Sequence, residues 1–524
     1  MPSTERLLSI KSLKKYFPVD GAHLFQKGQL YLHANEEITL DIMRGETLGL
    51  VGESGCGKST LGRTVLQLYT QTAGTTMYYG HAREDLDPRY LKRTLKHAAR
   101  LVARMKRDEA RCVEWQREWE RLDEDSSFFR VQRAKIDYAR AVTRRRGLIQ
   151  ILGGFAALDD PTQGARWLYR EHESRVREAR LRRVIARLDE QMAVHDDASE
   201  SPEGMARRQR KKQAMLVRLE RAQQMHALAR RELSQLRDRY RDQEIFMRYE
   251  GMRDGGIDLS RLRYDEMRVL RRELQIVFQD PYSSLNPRMT VGQIIEEGLV
   301  AHGYFKRGDP RMQQRVLEVM EQCGLQEYMR HRYPHQFSGG QRQRICIARA
   351  LAVNPSFVVC DECVSALDVS VQAQIINLLR ELKRTQHLTY LFISHDLSVV
   401  RYLSDRIGVM YLGHIVELCE SETLFLDPRH PYTIALLCSV PSMDPDGAGR
   451  ERILAQGNMP SPTRPPRGCK YHTRCFMACD RCREVEPPLI EVEAGHLVAC
   501  HFPERKMDAE GKISPKLTKS RETG

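Results

Sequence analysis

The ten residues VGESGCGKST, beginning at Val51, restrict this chain more than any other stretch. They follow GETLGL, an apolar run that reads as a buried strand, and precede LGRTVLQL, which reads as a helix. Strand, glycine-rich loop and helix in that order make a Walker A phosphate cradle. Gly52, Gly55 and Gly57 let backbone N–H groups wrap phosphate oxygens, with Glu53, Ser54 and Cys56 completing the loop. The positive end of the helix dipole adds to the attraction, with Thr60 in the first turn. Lys58 would reach the β- and γ-phosphates, and the Ser59 hydroxyl would ligate Mg²⁺. A nucleotide such as ATP on an α/β P-loop fold is the expectation.

Later segments supply the rest of a hydrolytic site. SFVVCDE carries an apolar strand, Phe357–Cys360, that ends in two acids. Asp361 is placed for the Mg²⁺ shell and Glu362 for polarising the attacking water. SALD follows, ending at Asp368, and TYLFISHD delivers His395 from a further strand toward the γ-phosphate. QIVFQDP sets Gln279 after a short strand, where its side chain can sense Mg²⁺ and water. HQFSGGQRQRICIARAL opens a helix at Ser338, Gly339, Gly340 and Gln341, a second helix end suited to an anion. A chain with a complete Walker A has no need of that end for its own nucleotide. The economical expectation is that it caps a nucleotide held by another subunit.

In their order, GESGCGKST, VFQDPYSSLNP, FSGGQRQR, VVCDE, SALD and ISHDL resemble an ABC-type ATPase. GETLGLVGESGCGKSTLGRT and IVFQDPYSSLNPRMTVGQII resemble, more narrowly, the OppF/DppF-like ATP-binding subunits of dipeptide and oligopeptide importers. The resemblance covers residues 5–80 and 256–505. It implies a RecA-like parallel sheet, an antiparallel β subdomain and a helical signature subdomain. It also implies ATP hydrolysis that drives import of short peptides through two membrane permease subunits. A second ABC ATPase, a paralogue in this branch, would complete the nucleotide sandwich, and a peptide-binding protein would act at one remove. The chain would lie peripherally at the cytoplasmic face of the membrane. Tyr16 in LKKYF would stack on adenine, with Phe17 the second choice. One departure is Cys363, where the branch has Pro after the Walker B glutamate; Glu362 remains, so hydrolysis is expected to remain.

The middle of the chain has a different composition. TAGTTMYYG (72–80) reads as one arm of a β-hairpin whose second arm resumes at GGIDLSRL (255–262). Between them, apolar or small residues at Met215, Leu219, Ala222, His226, Ala229, Leu233, Leu236 and Tyr240 form one narrow stripe. Leu181, Val184, Leu188 and Met192 form another, with HDDASESPEG as the turn between them. Leu91, Leu95, Ala98, Val102 and Met105 start an earlier helix. The expectation is a coiled-coil insertion of antiparallel helices projecting from the ATPase core. GLIQILGGFAALDDP (147–161) reads as its tip, or as a small membrane- or protein-touching patch. The chain thus divides into 1–80, 81–255, 256–430 and 431–524.

Of the net charge of +14, about +11 falls in residues 81–255. Such an excess suits nucleic acid or anionic lipid, or only a solvated helical face. DNA-repair and chromosome ATPases also carry coiled coils within an ABC fold, and they supply the rival function. Their coil falls between the Gln-loop and the signature, whereas here it precedes Gln279. Trp115, Trp119 and Trp167 make no base-stacking pattern either, so no nucleic acid is expected.

No 18-residue apolar window occurs, and the N-terminus has no signal-like run, so no membrane span is expected. Thirteen scattered cysteines point to a reducing compartment rather than a disulfide framework. Cys469, Cys475, Cys482 and Cys500 follow the Pro-rich run NMPSPTRPPRGC and keep the frame of the importers' C-terminal tail. Four thiolates there suit tetrahedral zinc or an iron–sulfur cluster, with plain reduced thiols as the remaining alternative. The family resemblance implies [4Fe–4S] with a structural role, and Cys479 falls outside the family spacing.

Overall fold

The computed structural model describes residues 5–19, 29–121, 128–194, 202–439 and 457–503. Contacts divide the chain into two compact units, 1–76 with 268–524, and 77–267.

The first unit is built on strands β1 (Arg6–Val19), β2 (Leu30–Met43), β3 (Thr47–Val51) and β4 (Ala73–Tyr78), the last of which runs into the second unit. In the second unit, β5 (Ile257–Asp258) pairs with the end of β4, Met77 against Asp258 and Tyr78 against Ile257. The expected hairpin thus closes across the whole intervening segment. The first unit resumes with β6 (Leu274–Val277), β7 (Phe357–Asp361), β8 (Thr389–Ile393) and β9 (Arg406–Tyr411). It ends with β10 (His414–Glu420), β11 (Ile490–Glu493) and β12 (His496–Val498).

TLGLV, FVVCD and TYLFI are buried at every position, the signature of parallel strands covered on both faces. They form the centre of a sheet in the order β11-β12-β10-β9-β3-β8-β7-β6. Pairing is parallel from β9 through β3, β8 and β7 to β6, and antiparallel among β9, β10, β12 and β11. Because β3, β6, β7 and β8 run the same way, the segments that follow them leave from one edge of the sheet. Ligands of open α/β sheets bind at such an edge. A second sheet pairs β1 with β2 antiparallel over nearly their whole length. Helices Val291–Ala301, Pro310–Gln322 and Gly339–Leu351 pack into the same core through residues such as Ile295, Val316 and Ile345.

The second unit is helical. Helices Thr162–Val194 and Pro202–Arg239 would each be roughly 50–57 Å long at 1.5 Å per residue. They run antiparallel: His226 Nδ1 meets Glu178 at 2.9 Å, and Lys212 meets Asp189 at 2.6 Å. Ala222, Ala229, Leu233 and Leu236 of the expected stripe are buried, and its remaining members are half-buried. Residues 195–201 of the expected turn lie outside the described residues.

Two expectations change. The stripe from Leu91 to Met105 is buried as read, but the helix breaks at His97 into Arg89–Lys96 and Ala98–Arg121. GLIQILGGFAALDDP is neither a tip nor an exposed patch. Leu148, Ile149, Leu152, Phe155 and Ala156 are buried and form the core of this unit together with Leu233 and Phe246. Gly154 and Gly164 permit it: a Cβ on Gly154 would lie 2.7 Å from the Phe246 ring, and one on Gly164 would lie 2.2 Å from Phe155. The glycines are there for close packing, which an apolar run with interruptions does not reveal. Leu233 is wholly buried, so Leu233→Ala is expected to destabilise this unit by roughly 2–5 kcal/mol, measured as a lower urea midpoint of the full chain.

Candidate nucleotide site

The loop between β3 and helix Lys58–Val65 has left-handed φ at Gly52 (150°), Gly55 (82°) and Gly57 (100°). Lys58 is buried and folds back on this loop, donating to the carbonyl oxygens of Gly52 (2.7 Å) and Glu53 (3.0 Å), with Cys56 Sγ at 3.6 Å. Ser59 and Thr60 occupy the first turn, half-buried, while Ser54 and Gly55 are exposed.

Across the sheet, β7 ends in Asp361, which is fully buried. Its Oδ2 accepts from Arg63 Nη2 at 3.1 Å and Nε at 3.3 Å. Among the described residues its Oδ1 is buried with no hydrogen-bond partner. A buried carboxylate oxygen without a donor is costly, and a cation there removes the cost. The unpartnered Asp361 oxygen therefore fits a cation such as Mg²⁺.

Glu362 stands at φ 48°, a left-handed conformation that a side-chain-bearing residue keeps only when its surroundings impose it. Its N–H donates to Ile393 O at 3.0 Å, and its own carbonyl accepts from Ser365 N (3.2 Å) and Oγ (2.9 Å). These bonds hold the turn at the buried Cys363, where proline was the family expectation. Gln279, from the segment after β6, donates through Nε2 to Glu362 Oε2 at 2.8 Å. His395, from the segment after β8, brings Nδ1 to 3.6 Å from the same oxygen. Three neighbouring parallel strands thus deliver an amide, an imidazole and a carboxylate to one point.

The family profile described as ABC transporter matches residues 35–239 and 244–365, and that of the oligopeptide/dipeptide transporter C-terminal region matches 416–482. The chain belongs to the ABC transporter ATP-binding family. It is an ATPase of the oligopeptide/dipeptide branch. In Bacillus subtilis (strain 168), a protein named for oligopeptide transport, YkfD, is 54% identical over 248 residues, 47% of this chain and 75% of YkfD. The oligopeptide transport ATP-binding protein AppF of the same organism is 51% identical over 249 residues, again 47% and 75%. A Brucella ovis protein named for peptide import is 53% identical over 245 residues, 47% and 76%.

The other expected residues of this ABC ATPase are placed as follows. Tyr16 lies on β1, buried, its ring stacked on His33 at 4.1 Å and its hydroxyl bonded to Glu36. Phe17 is half-buried, with the Lys15 ammonium 4.3 Å from its centroid. Ser338 caps helix Gly339–Leu351 in a reciprocal box with Gln341. Asp368 caps helix Val369–Gln386, accepting from Val371 N at 3.0 Å. Gly340 is buried where a Cβ would lie 2.3 Å from Val371.

Several partners of the site were not foreseen. Arg63 falls four residues after Ser59, on the same helix face, and that spacing was readable. Arg474 Nη1 reaches both Glu53 carboxylate oxygens at 2.9 Å, and Tyr432 Oη accepts from Glu53 N at 2.8 Å. These tie the C-terminal segment to the phosphate loop across more than 370 positions, and no local pattern signals it.

Cys469, Cys475, Cys482 and Cys500 line one small cavity beside Tyr471, joined by His472 and His501, which spacing did not suggest. Burial pushes the Cys475 thiol up to about 11 and the Cys500 thiol up to about 12. Cys479 does not line that cavity, although its sulfur lies 3.7 Å from that of Cys482. A separate buried group, Glu417, Cys419 and His496, joins β10 to β12. The Glu417 carboxylate is taken by His496 Nε2 (2.7 Å) and by the amides of Arg429 (2.8 Å) and His430 (3.0 Å). Among the described residues no helix is long and apolar enough to cross a membrane.

Proposed function

We propose that this ABC ATPase couples ATP hydrolysis to import of short peptides through two separate membrane permease subunits, as the partner of a second, paralogous cassette at the cytoplasmic face. The observation that carries the reading is the meeting of Gln279 and His395 on Glu362 beside the orphaned carboxylate oxygen of Asp361. Glu362 is the base that draws a proton from the attacking water, Gln279 orients it, and His395 contacts the γ-phosphate. Lys58 and the Gly52–Thr60 loop hold the phosphates, and Asp361 and Ser59 hold Mg²⁺; Tyr16, buried with its ring against His33, offers adenine no open face. The helix end at Ser338–Gln341, with Asp368, serves the nucleotide of the opposing cassette. Names of relatives that mention oligopeptide transport and peptide import support the cargo class.

The four cysteines hold a thiolate-bound metal group, [4Fe–4S] in the family's manner, with zinc as the alternative. Their shared cavity and sulfur-rich donor set fit such a group. When bound, it would staple a segment with little core of its own. The cysteines must give up their protons to hold it, and Gly468 keeps Cys469 close: a Cβ there would lie 2.4 Å from Cys482 O.

Purification from native membranes in mild detergent, without oxygen, tests both parts. Two polytopic permeases and a second ATPase are expected to copurify, and metal analysis is expected to find iron and sulfide, lost in a Cys475→Ser chain. Zinc in their place would assign the alternative. A soluble eluate carrying DNA or repair proteins would sink the transport reading.

A further inference from the structure

Within the helical unit lies a cavity of about 660 Å³, bounded by helices Arg89–Lys96, Ala98–Arg121 and Phe128–Leu152 and by the return segment at 258–263. That volume falls in the usual range for small-molecule sites. Lys and Arg outnumber Asp in its lining by nine to two. The cationic wall is partly built in place. Arg261 donates through Nη2 to Thr94 Oγ1 at 2.9 Å and through Nη1 to Gly147 O at 3.2 Å, and its guanidinium lies over the Tyr90 ring at 4.6 Å. Gly147 makes room for it, since a Cβ there would lie 3.1 Å from Nη1. Thr94 and Leu148 are buried beneath.

Countercharge covers only part of this wall: Arg89 pairs with Asp265 at 2.9 Å, Lys92 with Asp87 at 2.8 Å and Arg145 with Glu109 at 2.8 Å. Asp108 is shared between Arg144 at 2.7 Å and Arg104 at 3.8 Å. Among the described residues, no acid pairs with Arg93, Lys96 or Arg263. Solvated charges on a convex helix face disperse, whereas these converge on a concavity, where low-dielectric walls focus their field. Guanidinium groups at fixed angles match phosphate oxygens in pairs. Leu101, Met105 and Leu148 add an apolar side to the same cavity.

We propose that this cleft binds a ligand bearing two or more phosphate groups on an apolar body, the phosphates held by Arg93, Arg144, Arg261 and Arg263. The site is separate from the Walker A loop and stands whether or not the cargo is peptide. The required chemistry is shared by a soluble nucleoside polyphosphate and by a polyphosphorylated lipid headgroup.

The test uses the full chain with Lys58→Ala, which removes the main phosphate contact of the Walker loop. Titration calorimetry with inorganic tripolyphosphate is run beside sedimentation with phosphatidylcholine vesicles containing cardiolipin. Arg93→Glu with Arg263→Glu is then added. Both side chains are exposed, and an unchanged melting curve checks the fold; if the reversals unfold the unit, the paired alanine variants give the same readout. Binding by the Lys58→Ala chain, weakened at least about ten-fold by the charge reversals, is expected. Tripolyphosphate binding assigns a soluble ligand; vesicle binding without it assigns a lipid headgroup. Binding of neither probe, or binding that survives the reversals, overturns the proposal. So does reversal-sensitive binding of duplex DNA alone.

Discussion

Glu362→Gln is expected to reduce ATP turnover by roughly 10²–10⁴-fold while leaving ATP bound, because general-base catalysis contributes an effect of that size. The substitution preserves volume and backbone: glutamine meets the same left-handed cost at φ 48°, and the turn closed by Ser365 is unaffected. What disappears is the negative charge that accepts from Gln279 and faces His395. A neutral amide cannot take a proton from water. Phosphate release should collapse, and a nucleotide-retention assay should show ATP trapped between cassettes. Steady turnover near the wild-type rate would remove Glu362 from the role of base and turn attention to another acceptor near Asp361.

Gly57→Ala is expected to weaken ATP binding by at least about ten-fold, read with a fluorescent ATP analogue. Two effects act together. At φ 100° any L side chain is strained, by roughly 1–2 kcal/mol for left-handed backbone. The new Cβ would also lie 2.1 Å from the Ala34 carbonyl oxygen, and backbone on β2 cannot swing aside as a flexible side chain could. The loop must shift, and with it Lys58 and the amides that wrap phosphate. Gly55→Ala is the control. Its φ is 82°, but the nearest atom, Met459 Cε, is 3.6 Å away, an ordinary contact. It should carry only the backbone strain and a smaller loss. Equal affinities for the two variants would show that crowding at Ala34 does not shape the loop.

The motifs were legible because phosphate chemistry leaves few choices: glycines at left-handed positions, a lysine at the helix start, acids at a strand end. The long stripe from Met215 to Tyr240 was legible because helical periodicity records which face is covered. GLIQILGGFAALDDP was misread for a related reason: apolarity says that a segment is covered, not by what. Its cover is Leu233 and Phe246, residues roughly 80–100 positions away.

The sequence by itself determined the nucleotide chemistry, the order of the site segments, and the division between a sheet-based core and a helical insertion. Each of those is written in local spacing. Only the tertiary structure decided that Gln279 and His395 meet on Glu362, because parallel strand order, not chain order, makes β6, β7 and β8 neighbours. It alone joined Arg474 to Glu53, so that the cysteine-bearing segment touches the phosphate loop, and gathered scattered arginines around one cleft. Charges and hydrogen-bonding groups act over a few ångströms, and which of them come that close is settled by packing, not by distance along the chain.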